Sequence, residues 1–562
     1  MKKLKKFFIA LMSAGILASC SSDNLDGPKT PENVDGLYMT LTVSPQSMTR
    51  TASPSNIFEE GTEDENKVNN LLLILVDKNN IVIDYARVSA TNTNTGKVDV
   101  SADNKTVTAT GQFNRNNMIS YLQTNPADNE TKFYVVCNPT EAQEFTIGQN
   151  INDFICKKSL STYSTPNNFV MSNSKNADVS LPTLNDVRAG KYSSIEDSYK
   201  IATVEVERVV ARFDYAEYID GSEAKGSAGN YYFELSSARE DDTNGKLNIS
   251  IKQLALANMG KAFFLFKRVN NDGLLTTAAT MFGGETKDNY VVGPYGKEKA
   301  ALNSIEDDGD KFDEYFEYAI FGKDFKPEFS NVSTIMNSEN LRGDEDGKKD
   351  TGKGYNFWRY SMPNNLPADP KVTQKNGNST VVIFRAEITT PDTEGDLKTA
   401  MEAGDCIYAH NGKLIGNYTA LKELIAKDAA HAISIAYNNS GLTDTQKEAA
   451  TADQEINKSL VKNGKFAIYT ADNGHYYCDY YYWNRHNDNN DPNLMGPMEF
   501  AVVRNTIYKL AVTKIAKLGH PTIKGNDPDP LKPDTPDETS DFFMNVSVTI
   551  RNWGVRVNNI EF

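Results

Sequence analysis

Short apolar runs, many of them alternating with polar residues, follow one another along this chain and predict a protein built from β-strands. Residues 71–76 and 133–137 are near-continuous apolar runs of strand length, as expected for strands buried on both faces. Residues 203–213 begin with strict alternation and end in an apolar stretch, so we expect this strand to pass from a half-exposed to a buried environment. Asn473 and Gly474 separate two further runs and predict a tight hairpin.

Helical periodicity is rare by comparison. The best candidate helix spans residues 419–437, where Leu421, Leu424 and Ile425 recur at helical spacing. No internal repeat of fixed period is present, so a solenoid or propeller is not indicated. We therefore expect a mainly β protein with a few helices.

The two ends of the chain carry nearly the same strand. Residues 38–43 read YMTLTV and residues 543–548 read FMNVSV, with the same residue classes in the same order. Side chains alternate between the faces of a strand, so each end has one apolar row. These rows are Leu37, Met39, Leu41 and Val43 near the start, and Met544, Val546, Val548 and Ile550 near the end. We expect both rows to fit the same groove, with residues such as Ser547 and Thr549 on the outer face.

The first residues form an export leader. Lysines within residues 2–6 precede an apolar run over residues 7–17 that is too short to span a bilayer as a permanent helix. The sequence LASC at residues 17–20 is a bacterial lipobox, in which a signal peptidase cuts before Cys20 and the thiol receives a lipid. We therefore expect a signal peptide over residues 1–19 and a lipid anchor at Cys20, in a precursor attached to the bacterial outer membrane.

Charge and cysteine content exclude several classes of protein. The formal net charge is −16, and loss of the leader's lysines makes it more negative, so nucleic acid and anionic lipid head groups are poor partners. Apart from Cys20, the cysteines are far apart and form no CxxC spacing, which gives no indication of a zinc site and leaves their disulfide state open. They are Cys137, Cys156, Cys406 and Cys478.

Enzymatic motifs are absent from the sequence. It has five histidines, and it contains no HExxH, no GxSxG, no P-loop and no dinucleotide-binding fingerprint. The acidic clusters at residues 306–310 and 344–346 lack the full pattern of a calcium loop, so we expect no catalytic, metal or cofactor site. The aromatic run at residues 476–483 fits either a carbohydrate-stacking platform or, more often for such a hairpin, a packed core.

Changes in composition suggest the domain organisation. The polar stretch at residues 217–229 marks a boundary, so we expect a first β-domain over residues 51–221 and a second over residues 222–523. Residues 524–540 contain four prolines and few apolar residues, and we expect them to form an exposed, extended tether. In polyproline geometry these residues would reach roughly 50 Å. That length would carry the C-terminal strand, residues 541–562, to a neighbouring molecule.

In order and spacing, these motifs resemble the fimbrillin family, the shaft subunits of type V pili, and are most similar to the minor-fimbrium type. The motifs are the lipobox at Cys20, the strand region ending at Arg50, residues 206–212 (VERVVAR), Arg385 with Ala386, residues 503–508 (VRNTIY), the proline-rich tether, and the terminal strand followed by Trp553. Residues 230–375 do not match with the same clarity, so an insertion specific to this chain is expected there.

The resemblance implies a fold and a mechanism. Fimbrillins have two transthyretin-like β-sandwich domains and are exported as lipidated precursors. An arginine-specific protease then removes the first strand, and a terminal strand of another subunit replaces it, which is β-augmentation between copies of one chain. The resemblance places the cut between Arg50 and Thr51, and the Ser, Thr and Pro residues around them suit a protease-accessible loop. Residues 20–50 would then be a propeptide.

The expected function is therefore a structural subunit of an extracellular fimbrium that serves adhesion and biofilm formation. Its expected partners are copies of itself, accessory tip and anchor subunits, an arginine-specific protease, and receptors on host or bacterial surfaces. A surface glycan-binding lipoprotein is the alternative from another class, but it has no use for a matched terminal strand on a long tether. A tip or anchor subunit is the nearer alternative, and the presence of both a removable strand and a donor strand favours the shaft.

Overall fold

Strands arranged in several sheets dominate the structure, a computed structural model, and confirm the mainly β fold class. The structure describes residues 36–45, 58–89, 96–101, 106–125, 130–140, 144–152, 154–239, 244–274, 276–283, 289–303, 305–343, 354–366, 370–449, 454–539 and 544–554. The expected lipidation and processing residues Cys20, Arg50 and Thr51 lie outside these ranges.

The N-terminal part of the chain forms an eight-stranded sheet. In order across the sheet, its strands are Val82–Ser89, Asn70–Val76, Lys132–Cys137, Met171–Asn173, Tyr199–Arg208, Gly36–Pro45, Val107–Asn114 and Gly96–Val100. The sheet folds over on itself, because a Cβ atom built on Gly111 would lie 2.8 Å from Leu73 Cδ1 and 3.0 Å from the Ala86 Cβ of strands at the other end of the sheet. The apolar strands predicted at residues 71–76 and 133–137 lie in the core of this first sandwich.

Two further sheets form a second sandwich. The six-stranded sheet runs Phe58–Glu60, Met544–Gly554, Thr506–Ile515, Ala211–Ala216, Tyr355–Ser361 and Leu341–Gly343. The larger sheet runs Ala467–Tyr469, Ile407–His410, Lys413–Ile415, Phe233–Arg239, Asn244–Ala257, Val381–Thr389, His475–Trp483 and Ala471–Asp472, with Ser330–Asn331 and His520–Pro521 paired alongside. Side chains of both sheets, such as Phe213, Leu510, Ile249 and Phe384, share one core.

Short strands and helices complete the fold. The short strands pair as Ser164–Thr165 with Asn168–Phe169, Met259–Gly260 with Phe316–Glu317, Phe263–Phe264 with Ile155–Cys156, and Arg268–Asn270 with both Thr280–Met281 and Tyr290–Val292. The helices are Glu63–Asn66, Arg115–Thr124, Leu160–Tyr163, Leu184–Arg188, Gly296–Ala300, Ile305–Tyr315, Val332–Ile335, Pro370–Thr373, Asp396–Ala403, Tyr418–Lys427, Ala432–Asn438, Asp444–Glu448 and Gln454–Lys462, and the 3₁₀ turns are Ser338–Asn340 and Asp537–Thr539.

The predicted helix at residues 419–437 is two helices. The first, Tyr418–Lys427, ends before Asp428, and the second, Ala432–Asn438, begins after His431, whose ring nitrogen accepts a hydrogen bond from the backbone N–H of Ile433. An N-cap of this kind satisfies a helix-start donor and so stabilises a new helix at this point. The apolar spacing continues across the break, which is why periodicity alone did not reveal it.

The predicted strand at residues 203–213 is likewise two strands, and they belong to different sandwiches. Tyr199–Arg208 ends the first sandwich and Ala211–Ala216 lies in the second. Asn505 holds the crossing, because its side-chain oxygen accepts the backbone N–H of Arg208 and its own N–H donates to the carbonyl of Val210. The chain therefore passes between sandwiches upstream of the polar stretch that suggested a boundary near residue 221.

The predicted hairpin turn is present, but its first arm is shorter than expected. Asn473 and Gly474 both have positive φ angles, 49° and 82°, as a type I′ turn requires. They join Ala471–Asp472 to His475–Trp483. The preceding strand, Ala467–Tyr469, pairs instead with Ile407–His410.

A buried cluster of charges holds the segment after residue 57 against the second sandwich. The Arg212 guanidinium donates to both carboxylate oxygens of Asp214, at 3.0 and 2.8 Å, and to Glu65 Oε2 at 3.2 Å. Glu59 forms ion pairs with Arg212 and Lys509. The Arg212, Asp214 and Lys509 side chains are fully buried, so each charge depends on its partners for compensation.

We predict that Arg212→Met lowers the free energy of unfolding of the second sandwich by about 3–5 kcal/mol, because the Asp214 and Glu59 carboxylates would stay buried without their main counter-charge. Urea unfolding followed by tryptophan fluorescence measures this, since Trp358, Trp483 and Trp553 all lie in strands of the second sandwich.

The matched control for this prediction is Lys514→Met. Lys514 forms a 2.8 Å ion pair with Glu223 in which both side chains are about half exposed. Its loss should change stability by less than about 1 kcal/mol. An Arg212→Met variant as stable as this control would contradict the assigned role of the cluster.

Candidate functional site

The first strand, Gly36–Pro45, lies inside the first sandwich between two neighbours. It runs antiparallel to Val107–Asn114 and parallel to Tyr199–Arg208. Its predicted apolar row is at most 3% exposed to solvent, and its members are Leu37, Met39, Leu41 and Val43. Removing this strand would leave an apolar groove bounded by two unpaired strand edges. We call this space the first-strand groove.

The opposite face of the first strand is also partly buried. Tyr38 and Thr40 are 9% and 6% exposed. The Thr40 hydroxyl oxygen lies 2.6 Å from the hydroxyl oxygens of both Thr110 and Ser198. The first strand is therefore enclosed on both faces at these positions. The sequence alone did not single out Thr110 or Ser198, because isolated hydroxyl residues are common in β-proteins.

The last strand, Met544–Gly554, lies in the second sandwich of its own chain. It pairs antiparallel with Thr506–Ile515, in a register that places Val546 opposite Val512. Met544 is buried, whereas Val546 and Val548 are half-buried against the second core. Ile550 pairs with Tyr508 through the backbone, and its side chain lies outside the described part of the structure.

The last strand is packed less completely than the first. Met544 and Val546 line an open cavity of about 410 Å³ whose wall also includes Tyr482, Arg485 and Glu538. Atoms that face a cavity lack the dispersion contacts of a close-packed core. The last strand therefore occupies a looser site in this structure than the first-strand groove provides.

A short strand covers the outer side of the last strand. This cover strand, Phe58–Glu60, runs parallel to the last strand and pairs from Phe58 opposite Asn552 to Glu60 opposite Gly554. Each of the two end strands thus lies between one antiparallel and one parallel neighbour. Residues 46–57 connect the first strand to the cover strand, and the expected processing site falls within them.

The proline-rich segment docks on the second sandwich, in contrast to the expected exposed tether. The backbone N–H of Asp537 donates to the carbonyl of Gln374, and the N–H of Asn376 donates to the carbonyl of Thr535. Asp537 is 1% exposed. These contacts show why composition failed here, since a segment rich in proline can still offer its carbonyls to a neighbouring chain segment.

Burial raises the pKa of two carboxyl groups at this docking site. Burial raises the pKa of Asp537 to about 8, although the Ser379 hydroxyl and Arg485 act in the opposite direction. Burial also raises the pKa of Glu499 to about 7. Arg485 forms ion pairs with Glu499 and with Glu538. Glu538 belongs to the docked segment, so these ion pairs join that segment to residues that precede the strand Thr506–Ile515.

The structure places the other sequence candidates in structural roles. Tyr476, Tyr480, Tyr482 and Trp483 are buried, so most of the aromatic run packs in cores and does not form a surface platform. Among the described cysteines, Cys137, Cys156, Cys406 and Cys478 form no disulfide. Within the described residues, no group of three or more metal-binding side chains comes together. Among the described helices, none combines the length and apolar character needed to cross a bilayer.

Comparison with protein families identifies the C-terminal region. Residues 472–559 match the family described as major fimbrial subunit protein type IV, fimbrillin, C-terminal. The matched segment includes the hairpin at Asn473, the strand Thr506–Ile515, the docked segment and the last strand. No curated protein matches the chain.

Comparison with solved structures finds fimbrial and adhesion proteins of low sequence identity. A fimbrilin (fimA) of Porphyromonas gingivalis W83 aligns over 94% of this chain and 100% of its own, with 13% identity and a TM-score of 0.39. A cell adhesion protein of Parabacteroides distasonis aligns over 94% and 100%, with 10% identity and a TM-score of 0.40. The tip fimbrial protein Mfa3 of P. gingivalis aligns over 92% and 100%, with 11% identity and a TM-score of 0.30.

The raised pKa of Asp537 predicts pH-dependent docking of residues 524–539. An exposed aspartate titrates near 4, so the docked state binds the proton more tightly than the undocked state. Docking is therefore strongest below about pH 4 and weakens as pH rises towards 8. A nitroxide label at Lys532→Cys, in a Cys406→Ser background, should become more mobile between pH 5.5 and 8.5.

Two substitutions separate this effect from general charge repulsion. Asp537→Asn should reduce the pH response, because the amide does not titrate and Glu499 is then the remaining group at this site with a pKa raised into this range. Asp534→Asn changes an exposed carboxylate three residues away and should leave the response intact. An unchanged pH response in Asp537→Asn would contradict the assignment.

Proposed function

From the match of residues 472–559 to the fimbrillin C-terminal family, we propose that this chain is a structural subunit of a cell-surface fimbrium that polymerises by strand exchange. The precursor is exported, lipidated at Cys20 and held at the outer membrane. An arginine-specific protease cuts between Arg50 and Thr51 and releases the first strand. The last strand of another subunit then fills the first-strand groove, and the resulting extracellular filament serves adhesion and biofilm formation.

One observation carries this proposal: the chain has a strand near its start whose apolar row is fully buried, and a strand of the same residue classes at its end. The first strand fills a two-sided groove, and residues 46–57 join it to the cover strand of the other sandwich. A cut within residues 46–57 would therefore separate the strand that occupies the groove from the strand that covers the donor. A single cut in this segment would therefore affect both the acceptor groove and the donor strand.

Burial supplies the driving force for exchange. Four buried apolar side chains contribute on the order of 6–12 kcal/mol before the entropy of ordering the chain is subtracted. In its present site the donor row is half-buried at Val546 and Val548, whereas the corresponding positions of the first strand, Leu41 and Val43, are at most 3% exposed. Transfer to a vacated groove therefore increases the burial of the donor row.

The direction of exchange determines the form of the product. A donor strand that enters with the polarity of the first strand runs antiparallel to Val107–Asn114 and parallel to Tyr199–Arg208. The donor and the groove lie on different sandwiches of one subunit, so the contact is heterologous and does not close on itself. Such a contact produces a filament, with accessory tip and anchor subunits at its ends.

We predict that precursor lacking only its lipid is a monomer, and that an arginine-specific protease yields a new amino terminus at Thr51 followed by filament growth. Arg50→Ala should resist processing and stay monomeric. Arg87→Ala is the control, because Arg87 is exposed but lies within the strand Val82–Ser89, where a protease cannot easily engage the backbone. Normal maturation of Arg50→Ala would overturn this processing site.

Paired cysteines test the exchange itself. Leu41 lies opposite Ala109 in the groove, and the aligned donor position is Val546. In a Cys406→Ser background, Ala109→Cys with Val546→Cys should crosslink between chains only after processing. The control pair, Val512→Cys with Val546→Cys, should crosslink within one chain of the precursor, because these residues are opposite each other there. Filaments without the intermolecular crosslink would contradict donation into this groove.

A further inference from the structure

A small network of hydroxyl groups lies on the polar wall of the first-strand groove. Thr40 Oγ1 lies 2.6 Å from Thr110 Oγ1 and 2.6 Å from Ser198 Oγ. Lys200 Nζ also donates to Ser198 Oγ, at 3.1 Å. Thr40, Thr110 and Ser198 are all buried, at 6–7% exposure. The first strand thus makes a buried polar contact as well as apolar ones.

Removal of the first strand takes away the central hydroxyl of this network. An apolar side chain of an incoming strand at the same place would bury the Thr110 hydroxyl without the partner that Thr40 supplies and would leave Ser198 with Lys200 alone. Buried polar groups left unpaired are unfavourable, so the groove selects for a hydrogen-bonding side chain at this one position. The apolar row cannot make this selection, because it repeats every two residues and tolerates a slip of two.

The matched sequences of the two end strands place Asn545 at the position of Thr40. Asparagine carries both a donor and an acceptor on its side chain, so it can pair with two hydroxyl groups at once. A slip of two residues in one direction would put the ring of Phe543 against the hydroxyls. A slip in the other direction would put Asn545 at the buried position of Tyr38, where the matched residue is aromatic.

We infer that Asn545 of one subunit hydrogen-bonds to Thr110 and Ser198 of the next and that this contact sets the register of the donor strand. The partner is a second copy of this chain, and the inference rests on the proposed strand exchange. Asn545 acts as a specificity-determining residue. The apolar row holds the donor strand in the groove, and the Asn545 amide fixes the register in which the donor residues pair with the residues of the groove.

The test compares filament growth of full-length precursors after arginine-specific processing. Asn545→Val should slow growth about tenfold or more, the effect of losing the hydrogen bonds to both hydroxyls and leaving that of Thr110 buried without this partner. Asn545→Thr introduces the residue that the first strand itself carries and should grow within about twofold of the wild type. Ser547→Val is the matched control, because Ser547 aligns with Thr42, which is only half-buried, and it should also grow within about twofold.

A second comparison shows whether the effect acts through the two hydroxyl groups. In precursors that carry Thr110→Val and Ser198→Ala, the wall has no hydroxyl to satisfy, so Asn545→Val should no longer slow growth relative to Asn545. A tenfold defect that persists in this background would overturn the pairing. The comparison is made within one background, so any change in the stability of the first sandwich affects both arms equally.

The outcomes distinguish this inference from the proposed function. Equal growth of the wild type and Asn545→Val would overturn the register contact while leaving strand exchange in place. Slow growth of Ser547→Val with normal growth of Asn545→Val would show a register slipped by two residues and would also overturn it. Failure of the processed wild type to form filaments would overturn strand exchange itself, and this contact with it.

Discussion

The first-strand groove is the constraint on which the rest of the structure depends. A strand inside a sheet satisfies the backbone groups of two neighbours, and here it also covers the core of the first sandwich. No side chain can substitute for it, because the edges of Val107–Asn114 and Tyr199–Arg208 need a backbone between them. Once the first strand is removed, another strand with the same alternation of apolar and polar side chains is needed to pair with these edges and cover the core.

In the proposed exchange, the last strand is that replacement. In its own chain it is paired with Thr506–Ile515 and covered by Phe58–Glu60, so both of its edges have a neighbouring strand. It also borders a cavity and buries its valines only in part. The cover strand is anchored by the ion pairs of Glu59, in a cluster where every charge has a partner. Under the proposed exchange, the acceptor groove is therefore tightly filled in the precursor, and the donor strand would gain burial by moving into a vacated groove.

Much of this arrangement was readable from the sequence. Alternation predicted the β fold, and the matched end strands pointed to the two elements that matter, because the face pattern of a strand is encoded locally. Contacts between segments that are far apart in the sequence could not be predicted from it. Thr40 depends on Ser198, and Glu59 depends on Arg212, partners separated by more than 150 residues. Composition likewise did not predict the hydrogen bonds that join residues 535 and 537 of the proline-rich segment to residues 374 and 376.

Hydrogen exchange of the Val107–Asn114 amides reports on the replacement of the first strand, because these groups border the groove. The measurement compares the precursor, the freshly processed protein kept dilute, and the filament. The account predicts slow exchange in the precursor, fast exchange once the first strand has gone, and slow exchange again in the filament. Exchange that stays slow after the first strand has left, or that stays fast in assembled filaments, would contradict refilling of this groove by a neighbour's last strand.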